Sequence, residues 1–342
     1  MQSNDWDLPT PPVEPVSGSS PWRLVIALAI AAALVVAAFA VPIPVFFLYV
    51  PGPVRDVERL VRVDDAKTYS SEGQLFLTTV SIDTSVTFVD VVKAAVDPHE
   101  DVVMKDDVTQ GLTLREVREQ AEADMRQSKQ AARQTAFAAL GIPAGEGARI
   151  VETVADSPAA VILEEGDRVV AVDGSDVSTA CDVQQAIGEH RPGDVVRLTI
   201  LRDGSRRTIP IETVDNPLQE GRAFVGISMA DVPGDSVAVD FKTGEIAGPS
   251  AGLMFSLALY DRLTPDDLTD GRKIAGTGEI FCGGAVGPIG GIEEKVAGAE
   301  REGAEIFLAP ELNYEAAQDA AGDIEVVAVG TFSDAVEYLE GL

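Results

Sequence analysis

The sequence predicts an α+β protein of several units: an N-terminal helix able to cross a membrane, a β-rich middle module and a C-terminal α/β domain. Three observations carry this. The run from Leu24 to Val50 holds no charged residue. Residues 138–215 are short strand-like segments punctuated by Gly and Asp. After Pro217, apolar strand-like and helical segments alternate, as in layered α/β domains.

Composition narrows the function before any motif is read. The 342 residues carry 56 acidic and 26 basic side chains, a formal charge of −30. Such a surface repels nucleic acid and anionic headgroups, so a nucleic-acid role is excluded. Hydrophobic residues make up 46% of the chain, enough for sizeable cores. Cys181 and Cys282 are the only cysteines. They exclude a disulfide framework and a cysteine-based zinc site, and no metal or other cofactor is expected; a single bridge between them stays open, with two unrelated buried thiols the expected reading.

Taken in order, residues 1–21 are polar and proline-rich and read as a disordered tail. Residues 22–50 are expected to form a membrane anchor. The proline-free part, Leu24 to Val41, spans roughly 27 Å as a helix, close to one hydrocarbon core. A cleaved signal peptide is the rival reading, since Ala38-Phe39-Ala40 resembles a cleavage site. The long, acidic leading segment favours a retained anchor. Arg55, Arg59 and Arg62 after the span leave orientation open. Residues 51–137 read as an N-terminal segment of the protease module: 64–112 is a small β-rich region, with "GQLFLTTVSI" as strand and "VTFVDVVKAAV" as the start of a helix, and a long charged helix follows from Thr113 to Leu140, ended by Gly141 and Pro143.

In the middle module, "DSPAAVILEEGDRVVAVDGSDV" resembles the PDZ domain in the order found in bacterial secreted proteases. The resemblance covers 138–215. It implies that Leu140, Gly141 and Ile142 form the loop receiving a peptide's carboxylate, since consecutive amides at a glycine turn make an anion nest beside a strand edge. The plainer alternative is that Gly141 caps the preceding helix.

Ser250, in "GEIAGPSAGLMFSLALYD", stands at the mouth of an apolar helix. It becomes a nucleophile only beside a proton acceptor. His99 and His190 lie in other regions, so a Ser-His-Asp arrangement is not expected. Lysine is the remaining base, and the choices in this half of the chain are Lys242, Lys273 and Lys295. A lysine accepts a proton only when neutral, so it must be buried to lower its pKa.

"GPSAG" followed 45 residues later by the lysine of "GPIGGIEEK", with "GTGEI" between them, resembles the proteolytic domain of Lon-type proteases over roughly 224–342, within a C-terminal domain expected at 218–342. The resemblance implies Ser250 as nucleophile, Lys295 as general base and Thr277 as the hydroxyl that holds the lysine. It also implies that the backbone at Gly248, Pro249 and Ala251 serves the oxyanion. The family's acid three residues before the serine is replaced here by Ala247. The whole arrangement is similar to the bacterial membrane-anchored PDZ-Lon proteins, the YlbL-like family among them. That likeness implies an endopeptidase with its catalytic part outside the membrane, acting on polypeptides and able to form a homo-oligomeric ring. No G-x-x-x-x-G-K-[ST] occurs, so ATP-driven unfolding is not expected. The rival functions are a catalytically silent PDZ adaptor on a membrane tether and a Ser-Lys hydrolase of non-protein amides.

Overall fold

Alternation along four short strands sets the architecture of the C-terminal part. In Gln74–Leu77, Lys273–Gly276 and Ile306–Pro310, residues Leu75, Leu77, Ile274, Ile306 and Leu308 enter one core, while Phe76, Ala275, Phe307 and Ala309 enter another. Side chains of a strand alternate between faces, so a sheet apolar on both faces needs a layer on each. Together with Glu325–Val329 these strands pair in parallel, and Arg55–Asp56 adds antiparallel at the Gln74–Leu77 edge. One face is covered by the helices Leu114–Ala139 and Gly252–Leu263, the other by Ile292–Glu302 and Tyr314–Ala320. In this computed structural model the described residues are 21–97, 99–234 and 237–342. The expected tail, 1–21, lies outside them except for Pro21.

The long helix starts where Thr113 and Glu116 form a reciprocal cap. Met125, Ser128, Ala132 and Ala136 recur every three or four residues as its buried face, against the Ser250 helix. Its charges face solvent in pairs such as Arg118 with Glu122. The sheet domain is therefore assembled from residues on both sides of the middle module.

That module has its own core and an antiparallel sheet in the order Ser205–Glu212, Val195–Arg202, Arg168–Val172, Ala148–Thr153, Ile227–Asp231. The helix Ala180–Gly188 packs on it. Because Ile227–Asp231 pairs with Ala148–Thr153, the sheet continues past the expected boundary at 215–218.

Two expectations are corrected. The anchor expected over 22–50 is not one element: a helix runs Pro21–Ala40, and Phe46–Pro51 is a strand between Val80–Asp83 and Asp101–Met104. Pro42 and Pro44 stop the helix, and aromatic and β-branched residues suit the strand. Trp22–Ala40 is long and apolar enough to cross a membrane, with mean hydropathy 2.5 and none of that stretch buried. The cysteines are not unrelated buried thiols either. Cys181 and Cys282 are disulfide partners with Cα atoms 5.4 Å apart, and Cys282 is exposed. The Ala180–Gly188 helix packs against the turn at 282–284, which joins the module to the sheet domain covalently.

Candidate active site

Lys295 lies in the first turns of the Ile292–Glu302 helix, which Gly291 opens with φ +67°. The small residues that follow it admit close approach: a Cβ on Gly298 would stand 3.5 Å from Val54 Cγ2 and 3.7 Å from the Gly52 carbonyl oxygen. That packing leaves Lys295 3% exposed. Burial penalises the ammonium and lowers the pKa to about 7, against a weaker opposing pull from Glu294. Near neutrality, half of the lysines therefore carry a free lone pair.

Among the described residues the lysine amine makes one hydrogen bond. Its Nζ donates to Thr277 Oγ1 at 2.9 Å, and Thr277 Oγ1 donates to the Ser250 carbonyl oxygen at 3.1 Å. With the threonine proton directed at Ser250, its oxygen faces the lysine as acceptor, so the amine's orientation is coupled to the serine backbone. The Gly278 amide bonds the same carbonyl at 2.8 Å, and Leu253 donates to Gly278 at 3.0 Å. The strand Lys273–Gly276 thus delivers Thr277 to the mouth of the Gly252–Leu263 helix. Ser250 sits one turn before that helix, half-buried.

Ser250, Lys295 and Gly290 line two adjoining cavities, of about 880 and 420 Å³. The larger has one wall from 79–82 and another from 243–248; Pro288 and Ile289 wall the smaller. A chain passing from one cavity to the other crosses the serine. Neither histidine lines them: His190 Nε2 lies 2.9 Å from Asp173, and His99 beside Asp97.

The backbone expected to face an oxyanion is corrected in part. The Gly248 amide donates to the Ala121 carbonyl at 2.8 Å, so it is already engaged. Pro249 has no N–H, and its carbonyl accepts from Ser128 Oγ at 2.9 Å. The amides of Ser250 and Ala251 have no partner among the described residues. They stand at a helix start, where unpaired N–H groups and the dipole suit an anion. Ser128 was not singled out by sequence, since one hydroxyl in a charged helix carries no signal.

Glu294 is a second residue the sequence did not single out. It is 2% exposed, and its Oε2 lacks a partner among the described residues. Burial pushes its carboxyl up, as does Glu293.

Leu140, Gly141 and Ile142 do not form a free carboxylate nest. Their amides donate to carbonyls within 136–138, and Gly141 takes φ +67°, a helix cap. At the sheet's edge the strand Ile227–Asp231 meets the Ala180–Gly188 helix, whose Ala180 amide donates to Asp231 Oδ1 at 2.7 Å. It is preceded by Val225 and Gly226, with φ +82° at Gly226, and neither amide has a partner among the described residues. The sequence signal, "FVGIS", was present but lay beyond the expected module boundary.

Two family models match the chain, and their bounds differ from the structural units: the first takes in the long helix Leu114–Ala139 and the second the strand Ile227–Asp231. Residues 102–213 match the family model described as PDZ domain, and 226–338 match that described as Lon protease (S16) C-terminal proteolytic domain. Lon protease of Campylobacter jejuni is 38% identical over 96 residues, covering 27% of this chain and 12% of that protein. Lon protease 2 of Bacillus subtilis is 31% identical over 137 residues, covering 39% and 23%. The matches thus span less than a quarter of these curated relatives. A solved PDZ domain of an SdrC-like protein from Listeria monocytogenes is 21% identical, covering 25% of this chain and 87% of that one, with a TM-score of 0.23.

Proposed function

We propose that this chain, which carries a PDZ domain and a Lon-type proteolytic domain, is a membrane-anchored serine endopeptidase working through Ser250 and Lys295 without ATP. The observation that supports this most is the buried Lys295 amine, depressed to about pKa 7 and held by Thr277 at a cavity it shares with Ser250. The Ser250 oxygen attacks the substrate carbonyl carbon as its proton passes to neutral Lys295, and the carbonyl electron pair moves onto oxygen. The resulting oxyanion is received by the Ser250 and Ala251 amides. The lysine ammonium then protonates the departing amine as the C–N bond breaks. Water, deprotonated by the lysine, clears the acyl-serine by the same steps in reverse.

The edge strand Ile227–Asp231 and the Ala180–Gly188 helix flank the groove of the PDZ domain, and Val225 and Gly226 offer amides for a chain terminus. This module recruits or gates extended polypeptide. The Pro21–Ala40 helix holds the enzyme in the membrane, with the catalytic part outside the cytoplasm.

The test is a serine-reactive fluorophosphonate probe on the full chain in mild detergent, with peptide mapping. Labelling at Ser250 that disappears in Ser250→Ala and Lys295→Met is the expected result. A folded sample that takes no label overturns the reading in favour of a tethered adaptor.

Glu294 tunes the base. Its carboxylate favours the ammonium, so Glu294→Gln is expected to lower the Lys295 pKa. Neutral lysine then appears at lower pH. The acid limb of the kcat/KM profile should move about one pH unit toward acid. A limb that stays in place shows that Glu294 is not coupled to the lysine, and one that moves toward base shows that its carboxylate does not favour the ammonium.

A further inference from the structure

We propose that the open edge of the Val80–Asp83 strand is the track on which an extended polypeptide is laid against Ser250, adding to the sheet as a fourth strand. This rests on the reading of Ser250 as nucleophile and names how that site holds its substrate. Val80–Asp83 ends a three-stranded sheet whose other members are Phe46–Pro51 and Asp101–Met104. Its far side carries no strand among the described residues.

Register decides which backbone groups face that side. The Gly52 amide donates to the Thr79 carbonyl at 2.9 Å, so Thr79 opposes Gly52 in a hydrogen-bonded pair. Opposed pairs in an antiparallel ladder alternate between bonded and non-bonded. Ser81, opposite Val50, and Asp83, opposite Leu48, therefore turn toward the Phe46–Pro51 strand. Val80, opposite Pro51, and Ile82, opposite Tyr49, direct N–H and C=O to the open side. Proline has no N–H, so its place opposite Val80 agrees with a non-bonded position.

The open side is at the site. Thr79, Val80, Ser81 and Ile82 line the same cavity as Ser250 and Lys295. Val80 rests on the start of the lysine helix, where a Cβ on Gly291 would lie 2.5 Å from Val80 Cγ2. The edge thus begins beside Lys295 and runs outward to Ile82, which is 48% exposed. A substrate strand added at about 4.8 Å would fall between this edge and the wall formed by 243–248. Backbone hydrogen bonds bind any extended sequence, and a free edge is a ready template for them. The occupant is an extended polypeptide main chain rather than a folded surface or a small amide.

Ile82→Pro tests this, because it deletes an N–H on the open side and none that bonds Phe46–Pro51. With the full chain in detergent and fluorescein-labelled casein as substrate, KM should rise about tenfold or more, the worth of one or two backbone hydrogen bonds. The change in kcat should be much smaller, with Ser250 still labelled by fluorophosphonate. Retained labelling with unchanged KM overturns the proposal while leaving the nucleophile assignment intact. Loss of labelling in the wild type overturns both. Should the variant not fold, peptides from a mapped casein cleavage site, N-methylated one position at a time, replace it with the wild-type enzyme. Weakened cleavage at alternate positions supports the track, and indifference at every position overturns it.

Discussion

Lys295→Met is expected to lower kcat for polypeptide cleavage by about 10⁴-fold, with KM little changed. The change leaves a side chain of similar length in a buried place and removes only the proton acceptor. Substrate binding draws on the cavity walls and not on the amine, so the loss belongs in the chemical step. In the wild type, kcat/KM should climb with pH through about 7 and then level, since only neutral lysine takes the serine proton. The checks are steady-state kinetics on labelled casein from pH 5 to 9 for both proteins. A Lys295→Met enzyme within tenfold of wild type, or a wild-type profile flat across pH 7, places the base elsewhere. Neither histidine lines the cavities, so no imidazole stands ready to take over.

The main features of this site are legible locally. A serine between Gly-Pro and an apolar helix, and a lysine just after a glycine-rich turn, are marked by their own neighbours. Burial of that lysine is also inferable, because the small residues after it invite close packing. What the sequence does not display is the accounting of hydrogen bonds. Gly141 at φ +67° fits a helix cap and an anion nest equally well, and only the partners at 136–138 decide between them. Gly248 looks free in sequence, but its amide is taken by Ala121, more than a hundred residues earlier. The pairing of Cys181 with Cys282 likewise depends on two modules packing together across a separation of 101 residues.

The fold shows the same division. Near-continuous apolar runs in Gln74–Leu77 and Ile306–Pro310 point to a sheet buried on both faces. Hydropathy alone cannot divide 22–50, because a membrane helix and a buried strand are equally apolar. Pro42 and Pro44 hold the missing information. The same strand, Phe46–Pro51, carries Val80–Asp83 to the cavity lined by Ser250 and Lys295, so the stretch that follows the apolar N-terminal helix also shapes the candidate site.

Lys295→Met should also raise the stability of the folded chain at neutral and lower pH, by up to roughly 5 kcal/mol. The sign follows from proton binding. Lys295 titrates near 7 when folded and near 10.5 when free, so between those values the unfolded chain binds more protons. Wild-type stability therefore increases with pH across that window, and the cost of burying the amine is fully present only below it. Methionine has no such dependence and fills the space with apolar contacts. Thr277 loses one donor but keeps its own bond to the Ser250 carbonyl, so the variant leaves no buried hydroxyl proton unpaired. Urea unfolding of the full chain in detergent at pH 6, 8 and 10 measures the difference. The gain should be largest at pH 6 and should shrink steadily toward pH 10. A variant less stable than wild type at pH 6, with a gap that does not change with pH, would mean that the lysine is charged and paired in the folded protein. On the proposed mechanism, a lysine that costs the fold several kcal/mol is retained for what its neutral form does, and the two measurements on this one variant separate that cost from that use.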